Sequence, residues 1–228
     1  MTNAGIKSNQ EPDRIRERLI AEAESGYQEF ASRLIPGVKN LLRVRLPVLR
    51  RISREIAKND WRFFLSRADL CSFEETMLCG MVIGVAKMEE EERIKHIRWL
   101  IPKIDNWSVC DSFCAGLKTV RNNRAFYFPF LAACLKSSHE YTVRFAAVML
   151  RNYYVVDEYI DVVLSLLAKT RHDGYYARMA VAWAVSECFV FFPALVEEIL
   201  SSGTLCAGTQ RMAVRKIRES RRKIAQKG

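Results

Sequence analysis

Turn-forming residues are scarce in this chain. Ten glycines and six prolines in 228 residues supply too little punctuation for a sheet protein with many hairpins. No segment alternates apolar and polar residues between turn signals, so strands have no visible support. There is no CxxC pair among the seven cysteines (Cys71, Cys79, Cys110, Cys114, Cys134, Cys188, Cys206). Their odd number and irregular spacing, mostly within apolar runs, argue against a zinc site or a disulfide framework and for reduced core thiols. The amino terminus has no apolar segment of the secretory kind. The most apolar stretch, Met179 to Val196, is interrupted by Ser186, Glu187 and Pro193, which favours a buried helix over a membrane span. A cytoplasmic protein without membrane contact is expected.

What remains is ordinary globular composition, 50% hydrophobic and 27% charged, long enough to bury a sizeable core. Helical periodicity recurs along the chain. It predicts helices over 11–34, from Pro47 to about Lys58, and over 73–86, 89–100, 109–120, 125–135, 141–154, 157–168, 175–191 and 210–224. The fold class is all-α.

A faint repeat runs through these helices. Asp111, Arg144 and Met179 hold the third position of VCDSFCAGL, TVRFAAVML and ARMAVAWAV, at separations of 33 and 35 residues, and Glu75 lies 36 residues before Asp111. Two helices per unit at this period predict a curved α-solenoid of HEAT-like helical repeats, with a concave face suited to an extended partner. The expectation is one domain over 1–228, closed by a basic helix over 207–228. A non-repeating bundle is the alternative.

Charge is unevenly placed. The formal net charge is +10, of which residues 207–228 hold +7, with Glu219 as their one acid. Arg215, Arg218 and Arg222 stand on this tail. A second cluster comprises Arg43, Arg45, Arg50, Arg51 and Arg54. Arginine forks suit phosphates, so both clusters are candidate contacts to a nucleic-acid backbone, a solvated end or an anionic membrane being the other readings of the tail.

Three further residue types are expensive inside a plain apolar core. Asp111 follows Trp107 by four residues, which puts both on one side of a helix. Arg144 opens one apolar helix, and Trp183 is central to another. Read singly, each has a structural explanation: a helix cap, an inter-repeat ion pair, a core indole.

The strings PKIDNWSVCDSF, EYTVRFAAVMLRNYY and GYYARMAVAWAVSECFVFFP resemble the AlkD-type DNA alkylation repair family, and the resemblance spans roughly residues 30 to 222. It implies a stack of HEAT-like repeats holding double-stranded DNA in a concave basic groove, and hydrolysis of the N-glycosidic bond of cationic N3- or N7-alkylpurines. Carried over by motif, the catalytic aspartate falls on Asp111, the tryptophans flanking the lesion on Trp107 and Trp183, and the arginine holding the DNA backbone on Arg144. Such a lesion is already a good leaving group, so a carboxylate facing the electron-poor sugar and indole faces for the cation suffice. Neither metal nor organic cofactor is implied, and a monomer is expected. Two positions depart from the pattern: no tyrosine matches near Leu34, and Ser186 stands where a basic residue often follows the second tryptophan. The third string also resembles a divergent branch in which some members bind DNA without excising bases. A non-catalytic binder of DNA structures and a protein-interaction solenoid are the competing functions.

Overall fold

The computed structural model describes residues 11–26, 37–38 and 40–225, with side chains from Arg14 to Glu219 within those ranges. Among the described residues there are twelve α-helices and no strand: α1 (Glu11–Ala21), α2 (Leu46–Lys58), α3 (Trp61–Arg67), α4 (Phe73–Val85), α5 (Glu90–Leu100), α6 (Trp107–Gly116), α7 (Arg124–Cys134), α8 (Glu140–Tyr153), α9 (Ile160–Lys169), α10 (Tyr175–Phe191), α11 (Pro193–Ser201) and α12 (Ala207–Ala225). None is long and apolar enough to cross a membrane. The chain divides into two compact units, Met1–Leu117 and Lys118–Gly228.

In the first unit α2, α4 and α6 pack side by side in series, with α3 behind α2 and α5 behind α4. Local sequence explains each start. Pro47 sits in the first turn of α2, where its missing N–H costs nothing. Ser72 caps α4, its Oγ accepting from the Glu75 amide at 3.2 Å and donating to the Glu75 carboxylate at 2.8 Å, a side-chain N-cap. Most of α4 is buried, as expected for a helix with neighbours on both flanks. Its Gly80 lies against the Phe113 ring, and Gly84 against the Gly116 backbone; the absent side chains let α6 approach. Arg93 of α5, 3% exposed, closes the unit by donating to the carbonyls of Ile83 and Ala86 at the end of α4.

The second unit repeats the plan. Here α8, α10 and α12 pack in series, with α7 against α8 and with α9 and α11 against α10. The face α10 buries is mostly alanine and valine (Ala177, Ala180, Val181, Ala184, Val185), short side chains that suit close packing between two helices. Glu140 of α8 accepts from the amides of Tyr176 and Ala177 at 2.6 and 3.4 Å, satisfying orphan donors at the start of α10. From α4 onward the starts of α4, α6, α8, α10 and α12 are 34, 33, 35 and 32 residues apart, the period expected from the sequence.

Several helix ends differ from expectation. The first helix stops at Ala21, because the chain turns over 22–26 and the Glu24 amide donates to the Arg43 carbonyl at 3.1 Å; residues 27–34 of that expected helix lie outside the described ones. The helix read over 109–120 begins at Trp107 under an Asn106 cap and ends at Gly116, followed by a 3-10 turn over Lys118–Asn122. That read from Asp157 begins at Ile160. Two short helices were not expected: Asp60 accepts from the Phe63 amide at 3.1 Å to start α3, and Pro193 opens α11.

Candidate nucleic-acid interface

On α6 the Asn106 side chain accepts from the Val109 amide at 3.0 Å, fixing the first turn where Trp107 stands. Val109, Cys110, Phe113 and Cys114 are buried against α4, whereas Trp107, Ser108, Asp111 and Ser112 are half-buried. Trp107 and Asp111 therefore share one accessible face, as their spacing predicts. The Gly80 and Gly84 contacts with Phe113 and Gly116 set the position of this face within its unit.

Arg144 and Trp183 lie on α8 and α10 of the second unit. Arg144 is only 5% exposed; its Nη1 donates to the Tyr176 carbonyl at 3.1 Å, and its guanidinium lies 5.9 Å from the Tyr176 ring. It braces the first turn of α10 from inside. Trp183 is half-buried, and one of its faces carries the guanidinium of Arg151, 3.8 Å from the ring centroid. Arg151 also donates to Glu187 at 2.8 Å and to the Asn152 side chain at 2.9 Å. Sequence reasoning missed Arg151. Its signal was present, since Arg144 to Tyr176 and Arg151 to Trp183 are both 32 residues apart, so two arginines two turns apart on α8 meet two aromatics two turns apart on α10. Ser186 is turned inward, its hydroxyl donating to the Trp183 carbonyl at 2.8 Å. The cation beside this tryptophan comes from the neighbouring helix instead.

The amino-terminal arginines separate into two kinds. Arg45 pairs with Glu24 at 2.7 Å, and Arg51 with Glu22 at 2.5 Å and Glu55 at 3.5 Å. Arg50 and Arg54 are exposed and pair with no acid among the described residues. Arg43 adopts a left-handed conformation, φ +69°, in a loop held by Glu74. That carboxylate is fully buried and accepts from the amides of Leu42, Arg43 and Val44 at 2.8, 2.8 and 3.2 Å. One buried acid thus shapes the approach to the whole arginine cluster. On α12, Arg211, Arg215 and Arg218 are exposed; the side chain of Arg222 lies outside the described residues. No disulfide joins any two of the seven cysteines, all of which are among the described residues, and burial pushes the Cys188 thiol up to about 12, which makes it unreactive.

The model of the family described as DNA alkylation repair enzyme matches residues 15–224. The chain belongs to that family. Among solved structures it resembles AlkD2 from Streptococcus mutans, with a TM-score of 0.64 and 18% identity over 92% of this chain and 97% of the other. It also resembles smu.31 from Streptococcus mutans UA159, with a TM-score of 0.61 and 21% identity over 74% of this chain and 90% of the other. These likenesses show the fold, that of AlkD-type HEAT-like helical repeats. No curated protein matches the chain significantly. Membership places it among DNA repair proteins, with DNA as the implied partner.

Proposed function

We propose that this DNA alkylation repair family member binds double-stranded DNA and hydrolyses the N-glycosidic bond of cationic N3- or N7-alkylpurines. The observation that carries this reading is the accessible face of α6, where a tryptophan and a carboxylate stand one turn apart. As the bond breaks, its electron pair leaves with the purine, which departs neutral, and positive charge develops on the sugar. Asp111 stabilises that charge and orients the water whose hydroxyl adds to the sugar, the displaced proton passing to the carboxylate or solvent. Trp107 and Trp183 offer electron-rich faces to the cationic base. Phosphate contacts are assigned to Arg50, with Arg43, Arg45 and Arg51 beside it, and to Arg215, Arg218 and Arg222. The pairs of Arg45 and Arg51 are exposed, and such pairs are weak enough for phosphate to compete with the acids. Arg144 acts on register from within, by holding the start of α10.

One observation favours a second reading. Arg151 already covers a face of Trp183, where a cationic purine would stack, which suits a non-catalytic binder of DNA structures. The experiment that decides is release of free N3-methyladenine or N7-methylguanine from methylated duplex DNA by the purified protein. Release carries the glycosylase reading. Tight duplex binding without release moves the assignment to the non-catalytic binder, and absence of both ends the DNA reading.

A further inference from the structure

Three arginines line one cleft of the second unit. A cleft of about 320 Å³ opens between the start of α10 and the start of α12, lined by Arg178, Arg211 and Arg215 together with Tyr175, Met179 and Gly208. No acidic residue lines it, and none of the three guanidiniums pairs with an acid among the described residues; Glu219, the acid further along α12, pairs with Lys216 at 3.3 Å. The Nε of Arg178 is fully shielded from solvent and has no hydrogen-bond partner among the described residues. Gly208 leaves that side chain room, since a Cβ there would lie 3.1 Å from the Nη1 of Arg178. That guanidinium consequently lies against the first turn of α12, which contains no acid. A cation beside the positive end of a helix dipole is unfavourable unless an anion joins them. Neither α10 nor α12 has an acid in its own first turn; at α10 the charge is met by Glu140 of α8.

We propose that this cleft binds a phosphomonoester. A phosphodiester carries one negative charge, whereas a phosphomonoester carries nearly two at neutral pH and presents three terminal oxygens, a better match to three arginine forks than a two-oxygen carboxylate. Tyr175, 53% exposed at the rim, gives an attached nucleoside a face to stack on. The source is either the phosphorylated end of a DNA strand, which rests on the DNA-binding reading above, or a free phosphate compound, which does not.

The test compares two duplexes of one sequence, one with phosphates and one with hydroxyls at all strand ends, and measures inorganic phosphate separately. A strand-end site makes the phosphorylated duplex bind about tenfold more tightly, the scale of one added set of charge-assisted hydrogen bonds. Arg211→Gln should reduce that preference to less than about twofold while inorganic phosphate abolishes it in the wild type. If neither duplex binds, the DNA reading fails. The site then stands if inorganic phosphate raises the melting temperature of the wild type but not of Arg211→Gln. Equal affinity for the two duplexes, with no effect of inorganic phosphate on melting, overturns the proposal and leaves DNA binding to the phosphodiester backbone.

Discussion

The guanidinium of Arg151 rests 3.8 Å from the centre of the Trp183 indole while donating to Glu187 at 2.8 Å. The side chains of Arg151 and Glu187 are 22% and 31% exposed, so the contact is partly desolvated and stronger than a surface cation–π pair. A double-mutant cycle with Arg151→Met and Trp183→Leu should return a coupling of about 0.5–2 kcal/mol in denaturant unfolding. Additive effects, with no coupling, would mean that the stacking contributes nothing to stability.

Asp111 is where the proposed catalysis can be tested apart from structure. Asp111→Asn keeps size and some hydrogen bonding but removes the charge that the glycosylase proposal sets opposite the sugar. Single-turnover excision should fall by about 10²-fold or more, with melting temperature and duplex affinity nearly unchanged. Loss of stability and binding together would instead identify a structural carboxylate, since breaking a buried ion pair costs about 3–5 kcal/mol.

Close packing of α4 on α6 predicts a strong penalty at Gly84. A Cβ there would fall 2.9 Å from the Gly116 carbonyl oxygen and 3.0 Å from its carbon. Backbone cannot rotate aside as a side chain can. Gly84→Ala should therefore lose about 1–3 kcal/mol to overpacking, more than the roughly 1 kcal/mol that alanine's helix propensity returns. A lower denaturant midpoint is the expected result. Gly116→Ala is the control, because a Cβ there meets nothing within 4 Å.

Acid should destabilise the protein partly through His96. Its ring meets the edge of Trp61 at 5.7 Å, and burial holds its pKa below the ordinary 6.5, with Arg62 acting in the same direction and Glu92 opposing. The unfolded chain then binds the extra proton first. The contribution is fully present above about pH 6.5 and is lost as pH falls from there through the lower folded pKa. Unfolding free energies measured at about pH 8 and about pH 5 should differ less in His96→Gln than in the wild type. An unchanged difference would remove His96 from the acid response.

Much of this was legible in the chain itself. Helix content followed from local periodicity and scarce turn residues. The repeat followed from near-constant spacing, and the shared face of Trp107 and Asp111 from a four-residue interval. These properties depend on neighbours within a turn or on the length of one structural unit, both of which sequence records directly. The short helices α3 and α11 were not expected, because seven and nine residues carry too little periodicity. Tertiary structure decided which charges are already used. Arg45 and Arg51 look like Arg50 and Arg54 in the sequence, yet among the described residues only the first two face acids, from 21 and 29 residues upstream. Arg144, a structural ion-pair candidate from the sequence and a DNA contact only by resemblance, is packed inside against Tyr176. The arginine over Trp183 comes from α8, and the one beneath Gly208 from α10. Packing of one helix on the next assigns such partners, because a charge finds its neighbour through distance in space, which its place in the chain does not specify.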